Sequence, residues 1–152
     1  MNEFKPFDDR LAGLIAALSP AGRRRLTADI AKKLRRNQQQ RIKSQKAPDG
    51  TAYVPRKRQP VRAKKGRIKR EMFAKLHTNR YLKASGNDSA AVVEFTGKVQ
   101  RIARVHQYGL KDRPGRNSYE IQYPERQLVG FDKVSIQLVE EEILLRLSSL
   151  KV

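Results

Sequence analysis

The chain has 152 residues, 38% hydrophobic and 32% charged, with a mean hydropathy of −0.73. That size points to one domain with a modest core, part of which is expected to be held by partners. Its formal net charge is +19 and it has no cysteine, which excludes disulfides and thiolate metal sites.

The charge is concentrated. Between Arg23 and Arg70 there are 19 lysines and arginines against Asp29 and Asp49, a local net of +17. Such a field attracts polyanions or acidic protein surfaces and repels its own copies. The first seven residues lack the basic-then-apolar order of a signal peptide, and the apolar runs are too short for a membrane span. The expectation is a soluble chain, without membrane contact, that stays in the cell that makes it unless an assembly carries it out.

Phe4, Phe7, Leu11, Leu14, Ile15 and Leu18 recur at helical spacing and predict a first amphipathic helix. Ser19-Pro20 ends it and starts a second helix carrying Leu26, Ile30, Leu34 and Ile42, with cations on its other faces. The two are expected to pack as a hairpin over residues 1–46. Ala47-Pro48-Asp49-Gly50 is a turn signal. Residues 47–70 then read as a basic arm or long loop, with Arg56, Lys57, Arg58, Arg62, Lys64, Lys65, Arg67, Lys69 and Arg70 as its phosphate- or partner-binding cations. Tyr53 is the only aromatic in the arm, so stacking on bases has little support.

Residues 71–152 read as a small α+β core. Ile68, Met72, Phe73 and Leu76 suggest a short helix, and Tyr81 and Leu82 lead into a polar turn at Ser85-Gly86-Asn87-Asp88. Residues 91–96 are β-branched and aromatic and predict a strand. Ile102, Ala103, Val105 and Tyr108 fit helix and strand equally, and residues 111–117 read as a polar loop. Residues 119–123 alternate as a second strand stopped by Pro124. Asp132 then opens a final amphipathic helix in which Ile136, Val139, Ile143 and Leu147 share a face, widened by Leu138, Leu144, Leu145 and Leu150. The fold class is α+β: helical hairpin, basic arm, small antiparallel sheet and C-terminal helix, one domain overall.

His106, with Tyr108, Arg104 and Arg126 near it, is the best-placed candidate for proton transfer in a small ribonuclease. Without a paired acid, the better reading is that His106 bonds a loop and Tyr108 anchors the core through its ring. His77 reads as a surface-helix histidine. Glu140-Glu141-Glu142 reads as a solvated face or as the acidic counterpart of a neighbour's arm. Two distant histidines and no spaced carboxylates give no metal ligand set, and no glycine-rich loop precedes a helix, so no cofactor and no catalytic residue is expected.

Several segments taken in order resemble the phage virion morphogenesis family, the tail-completion proteins of contractile-tailed temperate phages. They include Leu18-Ser19-Pro20-Ala21-Gly22, Gln45-Lys46-Ala47-Pro48-Asp49-Gly50-Thr51, His106-Gln107-Tyr108-Gly109 and Tyr123-Pro124-Glu125-Arg126-Gln127-Leu128-Val129-Gly130. Where the family shows Pro-Ala-Arg-Pro-Leu-Leu-Gly, Gln127 replaces the second proline and loosens the preset φ. The resemblance implies a structural protein that finishes the tail for joining to a DNA-filled head. Its relatives form rings, commonly hexameric, at the head-tail junction, against the tail tube or terminator and the head connector. Non-specific contact with duplex DNA in the lumen would then fall to the basic arm. His106, Tyr108, Gly109, Pro124, Arg126 and Gly130 become structural residues of the family's motifs. A terminator ring capping the tube, a stand-alone nucleic-acid-binding protein and a small ribonuclease are the alternatives.

Overall fold

The computed structural model describes residues 9, 12–13, 15–56 and 71–148. Most of the first predicted helix, Ile68, Leu150 and the arm cations from Lys57 to Arg70 therefore lie outside the described residues. Within them the architecture is α+β, with three long helices and two small sheets. Helix α1 is Pro20–Lys43, strands β1 and β2 are Leu82–Gly86 and Ala91–Phe95, and helix α2 is Gln100–Tyr108. Strands β3 and β4 are Lys111–Asp112 and Ile121–Gln122, and helix α3 is Lys133–Ser148.

Helix α1 starts where the Ser-Pro pair placed it. Ser19 Oγ accepts the Gly22 amide at 3.0 Å and satisfies one of the first-turn donors. The turn after the helix also follows its residues: Gly50 takes φ 87°, and Asp49 Oδ1 accepts the Thr51 amide at 2.9 Å.

The chain forms two compact units. The first comprises Met1–Arg36, Lys83–Glu94 and Lys133–Val152. Its apolar cluster is Leu18, Leu26, Ile30, Leu34 and Ile143, with Ile15, Ala91, Val93, Leu138, Val139 and Leu147 packed against it. Each such side chain removed from water contributes about 1.5–3 kcal/mol. The β1–β2 turn docks on α1, since Thr27 Oγ1 donates to the Asn87 carbonyl at 2.6 Å and Arg23 Nε to that of Asp88 at 3.1 Å. Gly86 lies so close to α1 that a Cβ there would stand 2.4 Å from the Ala28 nitrogen.

The second unit comprises Asn37–Leu82 and Phe95–Asp132. Ile42, Tyr53, Leu82, Phe95, Ala103, Val105 and Leu128 are its buried apolar residues. Strands β3 and β4 pair antiparallel, Lys111 opposite Gln122 and Asp112 opposite Ile121.

Several expectations are corrected. The predicted helix around Met72, Phe73 and Leu76 is a series of turns, because Phe73 adopts φ 66°, which a right-handed helix does not accommodate. Residues 82–86 form a strand rather than leading directly into a turn, and the turn begins at Asn87, whose amide donates to the Ala90 carbonyl. The ambiguous Ile102 segment is helix α2, and two residues of the predicted polar loop pair as β3. The strand predicted over residues 119–123 shortens to β4, with Tyr119 exposed. On α3 the buried face is centred on Ser135, Glu142 and Ile143, so Ile136 is 47% exposed, and Leu144 and Leu145 also face solvent.

Candidate functional site

The second unit concentrates its buried polar chemistry around residues 123–130. Three parts of the chain hold this loop. From α2, Gln107 uses both ends of its amide: Oε1 accepts the Leu128 and Val129 amides at 2.8 and 3.0 Å, and Nε2 donates to the Val129 carbonyl at 2.8 Å. From α1, Gln38 Oε1 accepts the Gly130 amide at 3.0 Å and Arg41 Nη2 donates to the Leu128 carbonyl at 3.0 Å. From the stretch after the Asp49-Gly50 turn, the Tyr53 hydroxyl donates to the Gln127 carbonyl at 2.9 Å. A loop cannot be buried unless its backbone groups find partners, and these side chains supply them.

Arg126 works in the opposite direction, from the loop outward. Its Nε donates to the Val54 carbonyl at 2.7 Å, Nη2 to the Pro55 carbonyl at 3.3 Å, and Nη1 to His106 Nδ1 at 3.3 Å. Its own amide donates to the His106 carbonyl at 2.7 Å. The His106 ring stands edge-on to Phe73 and Tyr123, with centroids 4.9 and 5.2 Å away. Burial, then the charges of Arg126 and Arg56, push the His106 pKa down to about 4. The imidazole is therefore neutral at pH 7, with Nδ1 as the acceptor. Burial, and next the Arg56 charge, also lowers the Arg126 pKa, and burial lowers that of Arg41.

Beside this network is a groove of about 770 Å³, lined by Phe73, Leu76, Ile102, Ile121 and Tyr123 together with Arg56, Glu71 and Arg126. Among the described residues the neutral, ring-packed His106 hydrogen-bonds through its side chain to the Arg126 guanidinium and to no carboxylate. Among the described residues there is no group of three histidine, aspartate or glutamate side chains able to hold a metal. No described helix is long and apolar enough to cross a membrane.

Of the motif residues singled out in the sequence, His106, Tyr108 and Gly109 lie in or at the end of α2, and Pro124, Arg126 and Gly130 lie in this loop. His106 and Arg126 meet directly, while Pro124 lines the groove. Gly109 ends α2 in the left-handed region at φ 63°, where a Cβ would lie 2.9 Å from the Glu125 nitrogen. Gly130 gives its amide to Gln38. Tyr108 is corrected: it is 63% exposed and does not anchor the core, and Tyr53 and Tyr123 supply the packed rings. His77 is also corrected, since it sits half-buried in a turn rather than on a surface helix. Of the arm cations only Arg56 is described, and its guanidinium donates to the Glu71 carbonyl at 3.2 Å. Glu142 is not solvated: it is buried and ion-paired with Lys33 of α1, whereas Glu141 is exposed. Sequence reasoning missed Gln38, Arg41 and Gln107. The available signal was the placement of Gln38 and Arg41 on the stripe of α1 that carries Leu34 and Ile42.

A small, strongly basic protein whose histidine, glutamine and arginine side chains are committed to holding a loop is a scaffold in its chemistry. The chain belongs to the phage virion morphogenesis family, whose profile matches residues 2–148. Tail completion protein S of Escherichia phage P2 is 53% identical over 148 residues, covering 97% of this chain and 99% of that protein. No solved structure matches the chain. It is thus a structural phage protein with a role in tail completion, not an enzyme.

Proposed function

We propose that the protein is a ring subunit at the head-tail junction, completing the tail so that it joins a DNA-filled head. In this reading copies assemble in the host cytoplasm, commonly as six, between the tail tube or its terminator and the head connector. They remain in the neck of the virion. The observation that carries the proposal is the concentration of +17 between Arg23 and Arg70 in a chain of this family. A ring around a DNA channel benefits from cations turned toward the phosphates, and the DNA in turn offsets repulsion between neighbouring copies.

In the same reading the arm cations, Arg56 through Arg70, meet either lumen DNA or an adjacent protein. The loop held by His106, Gln107 and Arg126 serves as a rigid element for a neighbouring subunit, its backbone groups being fixed by Gln38, Arg41, Tyr53 and Gln107. Sedimentation of the purified protein, together with its retention on purified tails, tests the reading. An oligomer that stays with tails through a gradient is expected. A monomer absent from finished tails would contradict it, and a ring found only at the end of the tube would favour a terminator.

A further inference from the structure

We propose that the solvent face of α1 is a binding site for the phosphate backbone of duplex DNA, formed by Arg25, Lys32 and Arg36. The three are exposed and stand at i, i+7 and i+11 of one unbroken helix. At 100° per residue they fall within about 40° of a single line, and at 1.5 Å per residue they span about 16 Å. That line lies opposite the buried stripe of Leu26, Ile30 and Leu34. Duplex DNA carries a phosphate about every 3.4 Å of axis on each strand, so a row of this length runs beside about five of them.

The nearby carboxylates do not cancel the row. Asp29 is engaged by Arg146 of α3, and buried Glu142 by Lys33. Arg25, Lys32 and Arg36 are in none of the ion pairs found among the described residues. The same face has no large apolar side chain, its remaining positions being filled by residues such as Ala28 and Gln39. Protein interfaces centre on apolar or aromatic anchors and are depleted of charge at their core, whereas a phosphate row requires only cations. The chemistry therefore favours nucleic acid over an acidic protein.

The site deepens the neck reading and rests on it for its setting alone. The test is fluorescence anisotropy of the purified full chain with a short duplex DNA of mixed sequence, repeated across a range of salt concentrations. The variants are R25Q/K32Q/R36Q and, as a control of equal charge change, K98Q/K111Q/R116Q, all exposed positions. Each phosphate contact contributes about −0.9 to the slope of log K against log salt, so the α1 variant should flatten it by about 2.7 and weaken binding at least about tenfold at low salt. The control should change the slope by much less. Thermal unfolding confirms that the variants remain folded. Equal losses in both variants, an unchanged slope in the α1 variant, or no binding by the parent chain at low salt would each overturn the proposal. So would an α1 variant that binds DNA normally yet no longer associates with purified tails, the result expected of a protein-binding face. Absence of this protein from the necks of normal virions would instead count against the neck reading and leave these binding curves unchanged.

Discussion

Arg126 Nη1 donates to Nδ1 of His106 across 3.3 Å, fixing a neutral imidazole between the rings of Phe73 and Tyr123. The contact makes the histidine a pH-sensitive part of the fold. Its folded pKa, about 4, is below its ordinary value of 6.5. The stability it contributes is present above pH 6.5 and is lost as pH falls through the folded value, because the unfolded chain takes up the proton first. The unfolding free energy should therefore fall between pH 6.5 and 4, with a slope of at most about 1.4 kcal/mol per pH unit. Asp49 and Asp112 are held below the usual carboxylate value by hydrogen bonds, from Thr51 and chiefly from the Arg113 backbone, and titrate lower still. His106→Gln should flatten the window, as read by denaturant unfolding at several pH values.

Gln107→Leu keeps much of the side-chain volume but removes the acceptor shared by the Leu128 and Val129 amides. An unsatisfied, part-buried amide costs about 1–3 kcal/mol, so the variant should lose about 2–4 kcal/mol in denaturant unfolding. Hydrogen exchange at those two amides should accelerate more than exchange in α1.

Gly109 and Gly97 form a matched pair of alanine substitutions. At Gly109 the new Cβ meets Glu125 backbone atoms and the backbone is left-handed, so a loss of about 2 kcal/mol or more is expected. At Gly97 nothing lies within 4 Å, and the change should stay within about 0.5 kcal/mol. Melting temperatures compared under one condition separate the two.

Lys33→Met leaves Glu142, 8% exposed, without its partner on α1. Half of the lysine side chain is in water, so the pair is partly screened and the expected cost is about 1–2 kcal/mol. Adding Glu142→Leu should recover most of it, measured as a double-mutant cycle in denaturant.

Some of this was legible in the sequence for identifiable reasons. Helix α1 and the turn after it follow from a long 3.6-residue period bounded by Ser-Pro and Pro-Asp-Gly, signals that act locally. Strand β1 was hidden because Lys83, Ala84, Ser85 and Gly86 carry no strand preference, and β2 supplies the pairing that makes them extended. The apolar spacing of Met72, Phe73 and Leu76 suggested a helix because period says nothing about the left-handed φ at Phe73. His106 and Arg126 stood out individually, but their contact spans twenty residues and depends on how the loop folds back on α2. Gln38 and Arg41 are polar residues of a charged helix, and only their place on the stripe of Leu34 and Ile42 points to the burial both show.

The most direct test of the central claim is cryo-electron microscopy of necks from tails assembled with and without this protein. The neck-ring account predicts a ring of density at the top of the tail that is missing from the deletion particles, together with failure of those tails to join heads. Necks of normal appearance in the deletion particles, joined to filled heads, would contradict it.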